Sequence, residues 1–339
     1  KAVEEERTEM NELIQNLKSK IGNLVLVLSL ALTICFSASE AADKVRISVS
    51  SLDVAFLTAG VALKRGFFKE EGFEAELVRM GASVSVPALA NGDIDYTFIF
   101  GSVVRAAIRG LPLKVVASFM DSSTHTLIAR PELKSVKDLK GKTLGVSSFG
   151  ATADVAARMM IKHYEVDPEK EMKIIALGSD RARFAALKEG LVDVVVISPP
   201  ADSEGKKLGF NVLARAYELF SFPFIGLGVS VKKMKEKPDE VKRMIKAGIK
   251  ANRYIRQNRE GSIQVLMDWG RTDRESAAAS YDSTVKVFNM DGSIPEDGLR
   301  TVIEQAKKDL KSNRDVSPSE VSDLSVLREA QRELGIKGR

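Results

Sequence analysis

Apolar and polar residues alternate over residues 45–50. The apolar positions of residues 54–67 then recur at helical spacing as far as Lys64-Arg65-Gly66, which predicts a strand followed by a helix. Residues 74–80 read as a second strand, 83–90 as a helix opening after Gly81-Ala82, 95–100 as a third strand running into Gly101-Ser102, and 103–109 as the next helix. Strands are expected over 113–119, 126–129 and 143–146, the last introduced by the turn Gly141-Lys142, followed by a helix over 152–163. A strand over 173–177, a helix over 181–189 and a strand over 192–197 repeat the unit before the turn Ser198-Pro199-Pro200. From Pro238 onward the pattern changes, because residues 240–257, 274–288, 295–310 and 324–334 all show helical periodicity. The C-terminal part is expected to be a helical shell.

Alternating strands and helices predict an α/β fold built on mostly parallel, helix-covered sheets, which bind ligands outside the carboxyl ends of their strands. Two such runs, 45–109 and 143–197, predict two doubly wound lobes facing each other across a cleft. The extended stretches 115–129 and 222–231 are expected to be the two crossings between them. This assigns residues 43–122 and 225–339 to a discontinuous first lobe and 123–224 to a second.

The N-terminal part reads as an address. Residues 24–36 (LVLVLSLALTICF) form an uncharged run of 13, preceded by Lys18 and Lys20 and followed by the small-residue stretch 37–42. That is the layout of a secretory signal peptide, with cleavage expected after Ala41 or Ala42 and an extracytoplasmic, periplasmic destination. The run is short for a span, which needs roughly 20 apolar residues. A retained anchor and lipid attachment at Cys35 are the alternatives, and Met10 is a candidate start because the nine residues before it are acidic.

Composition narrows the chemistry. The 339 residues are 44% apolar and 29% charged, enough to bury a sizeable core. One cysteine and two histidines exclude a disulfide framework and make a metal site improbable. Of 51 basic and 46 acidic residues, four and six lie in residues 1–42, leaving 47 against 40. These charges are scattered rather than striped, which argues against a nucleic-acid partner.

Four segments in order then carry a resemblance: Gly66-Phe67-Phe68 with Glu71-Gly72, residues 88–95 (ALANGDID), residues 139–146 (LKGKTLGV) and residues 186–193 (ALKEGLVD). Together they resemble the periplasmic substrate-binding proteins of ABC importers, of the nitrate/sulfonate/taurine type, and are also similar to thiamine-pyrimidine precursor binders. The resemblance covers about residues 45–269. It implies the type II periplasmic-binding-protein fold with a two-segment hinge, solute capture by lobe closure, and delivery to a membrane permease whose ATPase is a separate chain. Each segment also has a mechanical reading as glycine turns that end helices and open strands.

Candidate ligand contacts lie where strands hand over to helices. Residues 147–152 (SSFGAT) leave a buried strand and open a helix, a terminus suited to an anion. Ser148 and Thr152 would add hydroxyl donors, Gly150 would permit close approach, and Phe149 completes the loop; the alternative is that Ser148 only caps the helix. Ser83 and Ser102 occupy equivalent junctions of the first lobe. In the first junction Asp53 either caps a helix or accepts from a ligand amine, and Phe56 offers an apolar face. Arg181 or Arg183 could clamp an anion, although charged residues on a first turn are usually solvated. Ser198 and Pro199 should form a rigid rim, and the resemblance implies that Pro199 lies near the pocket. Phe222-Pro223-Phe224 supplies either an aromatic wall or hinge packing.

Other features read as structural. His125 beside Asp121 suggests a hinge hydrogen bond, since no G-x-S-x-G elbow accompanies it. His163 ends a helix, where positive charge is favourable, and the cluster Lys232, Lys233, Lys235 and Lys237 reads as a solvated loop. No P-loop, dinucleotide fingerprint or metal-ligand spacing is present in the sequence. The expected protein is a monomeric, non-catalytic receptor, without cofactor or metal, for a small anionic organic solute. An enzyme on the same scaffold, similar to the thiamine-pyrimidine synthases, and a ligand sensor are the rival readings. The synthases carry a cysteine-rich motif that this chain lacks.

Overall fold

Both sheets are built from one local event: an apolar strand ends in a short polar loop that hands the chain to a helix. The computed structural model describes residues 42–336 and the isolated positions 10, 15, 17, 18 and 20. The expected signal run and its cleavage point at Ala41 lie outside the described residues. Asp43–Arg339 is one compact unit.

Ten strands are described: β1 (Asp43–Val49), β2 (Phe73–Arg79), β3 (Tyr96–Ile99), β4 (Leu113–Met120), β5 (Thr126–Ala129), β6 (Thr143–Val146), β7 (Lys173–Ala176), β8 (Val194–Ile197), β9 (Asn211–Arg215) and β10 (Ile225–Ser230). The longer helices are α1 (Leu57–Lys64), α2 (Ala82–Asn91), α3 (Phe100–Ile108), α4 (Thr152–His163), α5 (Asp180–Lys188), α6 (Ala201–Lys207), α7 (Pro238–Gln257), α8 (Arg259–Gly270), α9 (Arg274–Thr284), α10 (Glu296–Leu310) and α11 (Ser325–Glu333). The strands form two five-stranded sheets, β2-β1-β3-β10-β4 and β7-β6-β8-β5-β9.

In each sheet four of the five strands run one way, as expected, and a single strand runs against them. In the first, β1 pairs in parallel with β2 and β3, but β10 runs antiparallel between β3 and β4. In the second, β6 is parallel to β7 and β8, while β5 is antiparallel to β8 and β9. The cause is the crossing between lobes: β5 and β10 each enter their sheet from the hinge end, opposite to strands fed by a helical crossover. The expected crossings are correspondingly shorter. Residues 115–129 divide into β4, the connector 121–125 and β5, and residues 222–231 are largely β10. Strand β9 and helices α6 and α8 were not expected from the pattern.

The hinge is two strands of chain side by side. Phe222 and Phe224 N–H donate to the carbonyls of Asp121 (2.9 Å) and Met120 (3.0 Å), and Ala216 N–H donates to the carbonyl of His125 (2.9 Å). Ser122 Oγ donates to the Phe220 carbonyl at 2.7 Å. Such cross-bonding satisfies a buried connector's backbone while leaving only a few torsions to absorb lobe motion.

The first lobe has one continuous core that includes the helical shell. Its tie to α7 is Asn252, fully buried, whose Nδ2 donates to the Phe119 carbonyl (2.7 Å) and the Asn289 carbonyl (2.6 Å) and whose Oδ1 accepts from Thr58 Oγ1 (2.6 Å). One turn earlier, a Cβ at Gly248 would sit 2.2 Å from the Phe119 ring, so only glycine lets α7 lie this close to β4. The second lobe has two smaller cores, one on each face of its sheet: Leu127, Val146 and Met160 in one, Ile128, Phe184 and Ile197 in the other. Among the described residues no helix is long and apolar enough to cross a membrane.

Candidate functional site: the interlobe cleft

Strands β1 and β3 of the first sheet and β6, β7 and β8 of the second end toward one cavity of about 950 Å³ between the lobes. The residues just beyond those ends line it: Ser50 and Ser51 after β1, Ile99 at the end of β3, Ser147 after β6, Gly178 and Ser179 after β7, and Ser198 after β8. Because β10 and β5 run the other way, they present their starts, with Phe224 and Ile225 on one side and His125 on the other.

On the first lobe, Asp53 caps the turn that opens α1. Its Oδ1 accepts from Ala55 N–H (2.9 Å) and its Oδ2 from Ser51 Oγ (2.7 Å). Burial pushes the Asp53 carboxyl above its ordinary pKa, against the pull of those hydrogen bonds. Phe56 is buried behind it and also lines the cavity.

On the second lobe, Thr152 opens α4 and Ser179 caps α5, its Oγ accepting from Ala182 N–H at 3.3 Å. The two arginines that follow diverge, as residues two apart on a helix must. Arg183 is buried: Nε donates to the Val196 carbonyl at 2.6 Å, Nη1 to the Gly178 carbonyl, and Nη2 pairs with Asp180. Burial lowers its pKa to about 10. Its donors are thus engaged by the protein, and it braces the wall. Arg181 is exposed on the same wall and makes no hydrogen bond or ion pair within the described residues. Asp180 also accepts from Ser198 N–H at 3.3 Å, tying the rim to the helix start, and Pro199 and Pro200 continue the rim through a cis peptide bond.

His125 lies at the cleft floor with its ring edge-on to Phe224, centroids 5.4 Å apart. Its Nδ1 is 2.8 Å from Ser123 Oγ. The hinge hydrogen bond expected with Asp121 is thus made with Ser123, while Asp121 Oδ1 accepts from Asn289 Nδ2 at 2.7 Å. Burial, with the Arg183 charge, lowers the His125 pKa to about 3, so the cleft floor carries a neutral imidazole.

Of the ligand contacts expected from the sequence, Asp53, Phe56, Thr152, Ser198 and Pro199 line this cavity, as do His125, Arg181, Arg183 and Phe224. The rest are placed elsewhere. Ser148 and Phe149 are exposed, Phe149 at 63%, and Phe149 and Gly150 border a separate cavity of about 470 Å³. Gly150, at φ 72°, gives its N–H to Asp154 Oδ2 (2.8 Å) and its carbonyl to Arg105 Nη1, so a carboxylate inside α4 takes the donor a ligand would have used. Ser102 Oγ faces Arg105 Nη2 at 3.3 Å. Ser83 is exposed on α2, and it is Ser85 that turns inward, 2.5 Å from Ser48 Oγ. Phe222 and Phe224 both wall the hinge side, around a notch of about 40 Å³ that also touches Gly101 and Thr152.

Sequence reasoning passed over Trp269. It is the last apolar position of α8, and the turn Gly270-Arg271, with Arg271 at φ 50°, delivers the Trp269–Arg271 segment to the cleft mouth. A lone tryptophan followed by glycine at a helix end was the available signal.

A family model described as "NMT1/THI5 like" matches residues 55–262. The chain belongs to that family. Among curated relatives of this NMT1/THI5-like chain is YtlA of Bacillus subtilis strain 168, named for a binding role, 23% identical over 244 residues, 69% of this chain and 72% of that one. Among solved structures, the alkanesulfonate-binding protein SsuA of Xanthomonas axonopodis pv. citri, bound to MOPS, superposes with a TM-score of 0.68. It is 16% identical and covers 85% of this chain and 97% of its own. The fold is the type II periplasmic-binding-protein fold, two α/β lobes with a two-segment hinge and a helical C-terminal shell. The desulfurization enzyme DSZB also shares it, with a TM-score of 0.62 and 14% identity over 86% of this chain and 99% of its own. The fold alone therefore does not separate a binder from an enzyme. Among the described residues no cluster of histidine, cysteine, aspartate or glutamate is arranged to hold a metal.

Proposed function

We propose that this chain is the extracytoplasmic solute-binding component of an ABC import system, capturing a small organic anion between its lobes and presenting it to a membrane permease. The observation that carries the reading is the convergence of strand ends from both sheets on one cavity of about 950 Å³. That volume lies in the usual range of small-molecule sites, about 300–1,000 Å³. Ligand contacts are assigned to Ser51, Asp53, Phe56 and Trp269 on the first lobe, and to His125, Thr152, Arg181, Ser198 and Pro199 on the second. Ser83, Ser102, Ser148, Phe149 and Gly150 receive no ligand role. Arg181 and the starts of α4 and α5 favour negative charge on the second wall.

Lobe closure completes this reading. A solute that touches both walls only when they are near each other shifts the hinge equilibrium by its differential affinity for the shut form. The names of YtlA and SsuA agree with a binding role. The test is a thermal-shift screen of the full chain against small organic sulfonates, carboxylates and pyrimidines. A ligand at one hundred times its Kd adds about 2.7 kcal/mol, and stabilisation by sulfonates or carboxylates is expected. Absence of any stabilising compound, or turnover of one by the purified chain, counts against this reading.

A further inference from the structure

A cavity of about 470 Å³ opens between α4 of the second lobe and the end of α10 of the first, and it shares no lining residue with the cleft cavity. Arg158 and Lys162 face it from α4, where residues four apart share one side of the helix. Lys308 and Lys311 face it from the last turn of α10 and its cap. Two cations of each lobe thus meet across the lobe boundary.

The carboxylates present do not balance them. Asp309 is taken by Arg105 at 2.8 Å. Asp154 accepts from Arg158 Nε (2.8 Å) and from Gly150 N–H (2.8 Å). That leaves Glu169, one oxygen of which meets Lys162 Nζ at 3.0 Å, Lys308 Nζ at 3.5 Å and Arg158 Nη1 at 3.8 Å. Lys162, and with it Lys308, holds the Glu169 carboxyl below its ordinary pKa. Lys311, at φ 51° where α10 ends, has no side-chain partner among the described residues. Four cations therefore stand against Asp154 and Glu169 alone, and the cavity carries an excess of two positive charges.

Lys162 and Lys308 are like charges from different lobes drawn onto a single oxygen atom, and their repulsion grows as they approach it. A polyvalent oxyanion offers several acceptor oxygens in place of that one and brings the charge that is lacking. Side-chain exposure rises from 19% at Arg158 to 37% at Lys162 and 56% at Lys308. The inner cation is therefore fixed by its Asp154 pair, while the outer lysines are free to turn onto a ligand.

We propose that this cavity is a second binding site, separate from the cleft, for a polyvalent oxyanion of the phosphate type, and that the bound ion fixes the spacing of the two lobes. Arg158 and Lys162 supply the second lobe's contacts, Lys308 and Lys311 the first lobe's, and Glu169 is the internal anion that the ligand displaces. Because the cations stand on different lobes, the ion binds most tightly at one hinge angle and shifts the hinge equilibrium by that difference. The site does not depend on what the cleft holds.

The test is calorimetric titration of pyrophosphate into the full chain at a constant ionic strength of about 0.15 M, where exposed charges more than about 8 Å apart are largely screened, with chloride as the matched control. Heat of binding with pyrophosphate and none with chloride is expected. Lys162→Gln and Lys308→Gln should each weaken binding about fivefold or more, whereas Glu169→Gln, which removes the competing carboxylate, should tighten it about threefold or more. Arg181→Ala, on the cleft wall, should leave the pyrophosphate affinity as it is. In small-angle scattering the radius of gyration should contract on saturation of the unaltered chain and stay constant for Lys308→Gln. No heat with pyrophosphate, undiminished affinity in both lysine variants, or weaker binding by Glu169→Gln overturns the site. So does binding lost in Arg181→Ala but kept in Lys308→Gln, which would put the ion in the cleft. A radius indifferent to saturation overturns the coupling to the hinge. Retention on phosphatidate vesicles without binding of free pyrophosphate overturns the free ion as occupant in favour of a lipid headgroup.

Discussion

The two walls of the cleft are made the same way and carry different chemistry. Each is a row of strand ends and helix starts, yet the first lobe presents Phe56, Ile99, Ile225 and Trp269 around one carboxyl that burial pushes up, with Arg79 and Arg271 exposed beside them, whereas the second presents Ser179, Asp180, Arg181, Arg183 and Ser198. Both walls can meet charge, through Arg79 and Arg271 on the first and Arg181 on the second, but the first adds the larger apolar face. Their foundations differ too. The first wall stands on a continuous core, and the second on two cores separated by its sheet, so the second depends more on buried polar ties such as Arg183.

The largest effect should come from cutting that tie. Arg183→Ala leaves the Val196 and Gly178 carbonyls and Asp180 without their donor, and is expected to cost about 3–5 kcal/mol, read by urea denaturation. A loss under about 1 kcal/mol would mean that the second wall does not rest on this residue. On the first lobe, Gly248→Ala forces a methyl into the Phe119 ring and should cost about 1–3 kcal/mol. Proteolysis would distinguish the two variants, with the second lobe nicked first in Arg183→Ala and the α7 region first in Gly248→Ala.

Acid should weaken the hinge by a comparable amount. The pKa of His125 is lowered to about 3 from an ordinary 6.5, so between those values the unfolded chain binds the extra proton. Stability therefore falls as pH drops below 6.5, by up to about 1.4 kcal/mol per pH unit from this group. His125→Asn should flatten that part of the pH–stability curve; an unchanged slope would place the effect elsewhere. The smallest effect on stability belongs to Arg105, which joins the lobes by donating to the Gly150 carbonyl while Asp309 Oδ2, in its own lobe, accepts from it at 2.8 Å. Arg105→Ala should cost about 1 kcal/mol or less while enlarging the solution radius of gyration of the unliganded chain. An unchanged radius in small-angle scattering would show that this contact does not hold the lobes together.

Much of the scaffold was legible along the chain because local periodicity decides it. β5, β6 and α4 fall at 126–129, 143–146 and 152–163, the bounds that alternation and helical spacing predict. What periodicity could not show was direction: β5 and β10 are antiparallel because of where the hinge returns the chain, which is a tertiary fact. The site was legible to the level of junctions and not of side chains. The loop 147–151 looked like an anion cradle, but Asp154, one turn into its own helix, takes the Gly150 N–H. Trp269 was passed over because α8 itself was not expected: it follows α7 with only Asn258 between them, beyond the helical periodicity of residues 240–257.

The most direct test of a solute held between unlike walls is calorimetric titration of hexanesulfonate into the full chain, into Trp269→Phe on the first wall and into Arg181→Ala on the second. Each substitution is expected to raise Kd by about fivefold or more. An affinity indifferent to either wall, or no heat of binding to the unaltered chain, would contradict the account.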